Sequence, residues 1–459
     1  MKPWQRLAFA FVAWVPLALP ARAADAPVTV EAGLQQLIDE ALAANLELRA
    51  AGASVQQRLA ALDQARARYL PVIDFAARYS MADGGRTIEF PVGDLLKSFE
   101  LLRDEEQETK LVLEQPLYEP RIGPAVDASR ANAERAEADL TALRSQVVRD
   151  MKQAYYRWIA AQQAVVVLDA TLAATRENLK ANESLYRNGK VTRDLVYRAE
   201  ADVLEIEQER LATVSRTRIA QSYVNLLRNA PLDRPLPDAA LDATTIERFR
   251  ARLLAVLAGR QIDTRQLQDV ATQKRAELQS LDAAIAAGEA QQALARAAFK
   301  PTLALGAEAG IQGTEYGFAD EDRYVLASLV LRFNLFRGGA DQAALREARA
   351  FTDAVRANRE LAGQRVRLEV QQALENFAVA EASLDTAAKR AEAANGAFTI
   401  TSRKRDLGQI NQAEFIDARR AQTDAQLNVT RVRAEYLARL AELEYSIGDA
   451  RRLDREQRP

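Results

Sequence analysis

The feature that most constrains this chain is that it contains one long segment twice. Residues 47–77 align with 277–307 at a constant offset of 230 positions, pairing Leu48 with Leu278 and Ala65-Arg66-Ala67 with Ala295-Arg296-Ala297. Leu70-Pro71 stands where Lys300-Pro301 stands. Further on, Leu111-Val112-Leu113 matches Leu329-Val330-Leu331 at 218, and Gly189-Lys190-Val191-Thr192 matches Gly408-Gln409-Ile410-Asn411 at 219. A solenoid repeats every ~20–50 residues, so a period this long marks two fused copies of a half-molecule.

Each copy opens with a helical pattern, 30–68 with a break near Asn45 in the first and 264–298 in the second. Both patterns stop at an aromatic and a proline, Tyr69-Leu70-Pro71 and Phe299-Lys300-Pro301, because proline disfavours helical geometry in the residue before it. The apolar period then changes from that of a helix to that of a strand. Ile73, Phe75, Ala77, Tyr79 and Met81 alternate with Asp74, Arg78 and Ser80. The copy places Leu303, Leu305, Ala307, Ala309 and Ile311 opposite Thr302, Gly306 and Glu308. A second strand follows in each half, so the expected strands are 71–81, 108–117, 302–311 and 323–335. Their length and apolar/polar alternation are those of strands that cross an outer membrane.

Tyr69, Tyr118, Phe299 and Phe336 lie at the helix–strand junctions, where a membrane-interface girdle belongs. Tyr79, Phe90, Tyr316, Phe318 and Tyr324 gather towards the other strand ends. The connections there are unequal: 82–107 reads as a long polar loop and 312–322 as a short one, which explains the drop in repeat offset.

After the strands, 125–188 and 340–407 read as single helices, each about 95 Å long at ~1.5 Å per residue. Val366, Val370, Ala373, Phe377, Ala380, Leu384 and Ala387 keep alternating three- and four-residue spacing, a coiled-coil seam. Glycine turns at Gly189 and Gly408 send the chain back through helices at 193–229 and 412–447.

The domain organisation expected is a signal peptide at 1–23, a first repeat at 24–230 and a linker or equatorial segment at 231–263. A second repeat at 264–447 and a loose charged tail at 448–459 complete it. Lys2, Arg6, an apolar run and Ala21-Arg22-Ala23 supply the cleavage pattern of export. The chain has no cysteine, which leaves no residue for a lipid anchor or a disulfide, and no histidine, the commonest metal ligand and general base. Net charge is −2 with both signs interspersed, so no basic footprint marks a nucleic-acid partner. The reading is of a non-enzyme with no cofactor and no metal.

Four strands cannot close a barrel alone, and an open sheet edge in lipid leaves backbone groups unsatisfied. Several copies must therefore share one barrel. In the order of its elements the chain resembles the TolC-like outer-membrane efflux and secretion proteins. The residues that carry this resemblance are Ala65-Arg66 through Leu70-Pro71, Leu113-Glu114-Gln115-Pro116-Leu117-Tyr118, and the turns Asn188 to Thr192 and Leu407 to Asn411. It spans essentially the whole mature chain. The fold class is thus mixed: long α-helical hairpins plus four transmembrane β-strands, duplicated within the chain.

The resemblance implies a homotrimer with a 12-stranded β-barrel in outer-membrane lipid, continued by a periplasmic α-helical barrel. It also implies a periplasmic adaptor (membrane fusion) protein and an inner-membrane ABC or proton-driven pump as partners, in efflux or type I secretion. The expected docking tips are Gly189, Val191, Thr192, Gly408, Ile410 and Asn411. By position after Gly408, Glu414 and Asp417 match the acidic pair that rings the periplasmic mouth in that family. Arg405, Arg193 and Asp194 stand near enough in sequence to supply their partners. The competing reading of the long hairpins is a soluble periplasmic coiled-coil adaptor or structural protein.

Overall fold

The computed structural model describes residues 29–449 apart from 84–86, 93–94, 101–103, 258–262 and 315–318. The expected signal peptide, Tyr316, Phe318 and nearly all of the charged tail lie outside the described residues. In chain order the first copy comprises α1 (Val30–Ala44), α2 (Leu46–Ala67), β1 (Val72–Met81), β2 (Thr87–Val92), β3 (Leu95–Glu100), β4 (Glu105–Tyr118), α3 (Ile122–Arg187) and α4 (Arg193–Leu227). A connecting helix, α5 (Ala243–Leu257), leads to the second copy. That copy comprises α6 (Thr264–Lys274), α7 (Ala276–Ala297), β5 (Thr302–Gly313), β6 (Arg323–Arg332), α8 (Ala340–Asp406) and α9 (Gln412–Ser446).

The duplication recurs at the level of single contacts. Asn45 breaks the opening helix of the first copy; its side chain caps α2 by accepting from the Leu48 N–H at 3.0 Å and donates to the Leu227 carbonyl at 2.8 Å. Arg275, its counterpart at the 230 offset, breaks the opening helix of the second copy and donates to the Ser446 carbonyl at 3.4 Å. Leu227 and Ser446 end the two return helices at the 219 offset. Sequence periodicity predicts no break at 275, because arginine is a good helix former. Distant contacts hold it, Glu369 at 2.9 Å and the Tyr445 ring beneath the guanidinium, alongside the local bond to Glu277 at 3.0 Å. Burial pushes the Glu277 carboxyl up, and the Arg275 and Tyr445 hydrogen bonds outweigh it, so the group ends below its ordinary value.

The strands β1, β4, β5 and β6 form one antiparallel sheet in that spatial order. Its register places Phe75, Leu111, Ala309 and Val325 in one row, and Ile73, Leu113, Ala307 and Ala327 in the next, all on the same face. That face is bare: Phe75 is 70 % exposed and Val325 82 %. The opposite face carries Asp74, Arg78, Glu108, Lys110 and Glu308. Lys110 there bridges Glu108 at 2.9 Å and Glu308 at 3.1 Å across adjacent strands. Gly310 sits against Lys110, where a Cβ would lie 2.3 Å from the Thr109 carbonyl oxygen, so this close strand approach requires glycine.

Two expectations for the strands change. The segment 82–107 is not simply a polar loop, because β2 and β3 pair as a separate hairpin. Gly93-Asp94 between two alternating runs was the signal for it. β6 ends at Arg332 rather than 335, since its partner strand starts at Thr302 directly after Pro301, which has no N–H to offer. Tyr324 lies at the loop end of β6 as expected, pairs with Gly310 and shares the charged face with Lys110.

Below the sheet the hairpins α3–α4 and α8–α9 run out as long paired helices, α3 spanning 66 residues and α8 67, about 100 Å at ~1.5 Å rise. The seam Val366, Val370, Ala373, Phe377, Ala380, Leu384 and Ala387 is buried along its length. Its continuation Ala391, Ala394 and Phe398 is only half-buried, nearer the turn. The main core lies mid-length, where α1, the linker and α5 wrap the hairpins. Tyr155 stacks on Trp158, the Tyr155 hydroxyl donates to the Pro237 carbonyl at 3.3 Å, and Leu241 and Phe249 close over them. The α3 helix is long and apolar enough by composition to cross a membrane. Met151, Tyr155 and Ile159 spend that apolar character on this core.

Candidate functional site

Both hairpins turn through the same backbone cap. Gly189 (φ 69°) donates to the Tyr186 carbonyl at 2.9 Å, and Lys190 to Leu185 at 2.9 Å. Gly408 (φ 72°) donates to Arg405 at 2.8 Å and Gln409 to Lys404 at 2.9 Å. These are paired Schellman bonds, which need a left-handed residue at the glycine. A Cβ at either position meets open space, so backbone conformation rather than crowding calls for glycine there. Thr192 and Asn411 are exposed, Val191 and Ile410 half-buried, and Leu407 stands 71 % exposed beside the second turn.

Glu414 and Asp417 are both exposed on the first turns of α9. Asn411 caps that helix by accepting from the Glu414 N–H at 2.9 Å, while its amide donates to the Glu414 carboxylate at 3.1 Å. The first bond is an ordinary N-cap and the second ties the two side chains together, so Glu414 has a local structural role as well as a charge. Neither Glu414 nor Asp417 pairs with a lysine or arginine among the described residues. The cations expected beside them are engaged elsewhere. Arg405 lies over the Phe415 ring at 3.9 Å and donates to Asn178 of α3 at 3.3 Å. Arg193 lies over Tyr197, and Asp194 accepts from the Thr192 hydroxyl. Within one chain Arg405 reaches α9 at Phe415 without pairing with the acidic pair, and Arg193 and Asp194 make their contacts within their own tip.

Periodicity did not single out the charged pair that ties the hairpins together. Arg419 on α9 donates to Asp202 on α4, with the two side chains 3 % and 2 % exposed. Arg420 stands beside them and pairs with Glu205. Burial pushes the Asp202 carboxyl up despite Arg419 and Arg420, and pulls the Arg419 guanidinium down despite Asp202. Desolvation thus outweighs attraction for both partners. Among the described residues Asp202 Oδ2 and Arg419 Nε and Nη1 have no hydrogen-bond partner, so the pair is only half satisfied. The available sequence signal was a charge at a buried heptad-like position of each return helix, indistinguishable from a solvated face until the two helices are placed side by side.

Residues 37–228 and 267–449 match the sequence profile of the outer membrane efflux protein family. The chain belongs to that family. The two matched segments correspond to the two copies, and the connection between them falls outside.

Among solved structures, this outer membrane efflux protein is similar to VceC of Vibrio cholerae, with 18 % identity over 91 % of this chain and 96 % of that one, at a TM-score of 0.74. The Campylobacter jejuni CmeC outer membrane channel shares 16 % identity over 91 % and 86 %, also at 0.74. The open-state MtrE outer membrane channel of Neisseria gonorrhoeae shares 19 % over 91 % and 89 %, at 0.73. At these identities the likeness is one of fold. No curated protein sequence matches the chain.

Proposed function

We propose that this member of the outer membrane efflux protein family is the outer-membrane exit duct of a tripartite efflux or type I secretion system. In this reading it is a passive trimeric channel that meets a periplasmic adaptor and, through it, an inner-membrane ABC or proton-driven pump. The observation that carries the reading is the four-stranded sheet, apolar and bare on one face, charged on the other, and unpaired at both edges among the described residues. In water that face is an exposed apolar patch, and in lipid the edges leave backbone groups unsatisfied. Pairing β6 of one copy with β1 of the next removes both problems in a closed ring. Three copies give twelve strands and a lumen wider than the eight-stranded minimum.

The helices carry the same message. Tyr197, Leu204 and Leu211 on α4, and Leu361 and Leu368 on α8, repeat at heptad spacing and stay exposed in a single chain. Neighbouring copies would cover them. A soluble coiled-coil adaptor, the competing reading, would leave the apolar sheet face in water. Conductance steps from purified protein in planar bilayers test the duct reading. Protein that stays in the soluble fraction and gives no conductance would sink it.

The tips are the proposed adaptor surface, with Gly189, Val191 and Thr192 on one and Gly408, Ile410 and Asn411 on the other. Gly408→Trp is expected to abolish export while trimers persist in the membrane. Gly408→Asn, which tolerates the left-handed backbone, separates the roles. Full export by the Asn variant would leave the glycine a helix cap alone, and loss of trimers in the Trp variant would do the same.

Glu414 and Asp417 are proposed to line the periplasmic mouth, with Arg405, Arg193 and Asp194 around them. Six carboxylates from three copies would concentrate cations at a narrow aperture. Combining Glu414→Gln with Asp417→Asn keeps the hydrogen-bonding shape of the α9 cap and removes the charge. Reduced cation preference and weaker block by multivalent cations are expected in planar bilayers. Unchanged selectivity would return both residues to the ordinary surface.

A further inference from the structure

We infer that the four helix–strand junctions form a belt that binds the phosphates of anionic phospholipid headgroups in the periplasmic leaflet, with Arg68, Arg121, Lys300 and Arg337 as its cations. The inference rests on the exit-duct reading, which places lipid against the apolar sheet face. It adds a ligand class and the side chains that take it.

The antiparallel order brings the junctions to one end of the sheet. Val72 faces Glu114, Leu303 faces Tyr118 and Thr302 faces Arg332, so the start of β1, the end of β4, the start of β5 and the end of β6 lie side by side. Each junction repeats one arrangement. Arg68 adjoins Tyr69, Lys300 adjoins Phe299, Arg337 adjoins Phe336, and Arg121 follows Tyr118 by three residues. The aromatics are exposed, Phe336 at 85 %. All four cations are exposed as well. An aromatic ring at headgroup depth with a cation beside it is the usual interfacial anchor of a membrane protein.

Interactions inside the chain do not account for these charges. Arg337 has Asp341 at 3.2 Å, yet its side chain remains 57 % exposed. No carboxylate pairs with Arg68, Arg121 or Lys300 among the described residues, and the Glu119 side chain accepts from the Arg121 backbone N–H instead. Helix dipoles favour cations at helix C-termini, which suits Arg68 after α2 and Lys300 after α7. Arg121 and Arg337 precede the N-termini of α3 and α8, where the dipole disfavours a cation. Four exposed cations at one level, two of them against the local field, are free to take an external anion.

The other end of the sheet supplies the contrast. Asp104, Glu105 and Glu106 lead into β4, and Asp320, Glu321 and Asp322 lead into β6. Acidic runs of this kind lead into strands at the loop end, where Arg78 and Arg323 accompany them, whereas at the junction end Glu114, Glu119 and Asp341 stand singly among the four cations. A cationic ring confined to one membrane surface matches anionic headgroups at that surface.

The test uses the purified full-length protein and an R68Q/R121Q/K300Q/R337Q variant, each reconstituted in nanodiscs of phosphatidylethanolamine and phosphatidylglycerol. Lipids retained after mild extraction are counted by native mass spectrometry. Wild type is expected to hold phosphatidylglycerol at about fivefold or more above the supplied ratio, the factor for one cation at an anionic surface. The variant should return to the supplied ratio. Inorganic phosphate in the buffer should leave the enrichment in place, and competition by it would overturn the lipid assignment in favour of a free-phosphate site. Equal enrichment in both proteins, or none in wild type, would overturn the belt while leaving the duct intact, provided both insert. If neither protein inserts, the duct reading fails and the belt fails with it.

Discussion

Arg419→Ala should destabilise the joined hairpins by about 3–5 kcal/mol, the usual cost of removing one partner from a buried ion pair. The Asp202 side chain is 2 % exposed in the intact pair, and among the described residues Arg420 at 3.7 Å would be left to neutralise it. Desolvation already dominates both groups in the intact pair, so the wild-type interaction contributes little net stability. The loss comes from stranding a charge. The reciprocal prediction follows: Arg419→Met combined with Asp202→Leu should be neutral or stabilising, because apolar side chains of similar size avoid the burial cost altogether. Urea unfolding followed by far-ultraviolet circular dichroism measures both. A cost below ~1 kcal/mol for Arg419→Ala, the range of solvent-exposed pairs, would show that water reaches the site and that it is no interior contact.

Adjacent residues in the centre of the sheet should respond to lysine in opposite ways. Leu111 lies on the bare apolar face between Phe75 and Ala309. Lysine there is expected to cost about 2–4 kcal/mol if that face meets the middle of the bilayer. Val112 points to the other face, between Asp74 and Glu308, where a lysine ammonium finds two carboxylates across the neighbouring strands. Val112→Lys should therefore fold and assemble like the parent protein. The yield of inserted trimer and its urea midpoint in lipid vesicles report the difference. Equal tolerance at Leu111 and Val112 would remove the support for a lipid-facing sheet, because strand geometry gives the two positions opposite surroundings and nothing else distinguishes them as hosts for lysine.

Gly189 and Gly408 could be read as turns because only a left-handed residue closes a helix with paired backbone bonds, and that requirement is local. Asn45 could be read as a break for a similar reason: it is a good N-cap, and its side chain reaches the Leu48 N–H within its own turn. Arg275 could not. Its backbone breaks at the same repeat position, but what holds it are Glu369 and the Ser446 carbonyl, far away along the chain. The tips were legible as turns, and the engagement of Arg405 with Phe415 and Asn178 was not, since a guanidinium near an acidic pair in sequence has several rings and amides within reach once helices pack.

Local periodicity and the internal repeat determined the order of helices and strands, which face of each strand is apolar, where the long helices turn and that one chain leaves its sheet unclosed. Those properties depend on residues a few positions apart, and a duplicated pattern states them twice. Tertiary structure alone decided which charges are buried together, as at Asp202 and Arg419, and which are left facing outwards, as at Arg68 and Lys300. A charged residue on a helix or at a strand end looks the same in sequence whichever fate it meets. Its energy is set by the dielectric and the partners that the packing of distant segments brings to it.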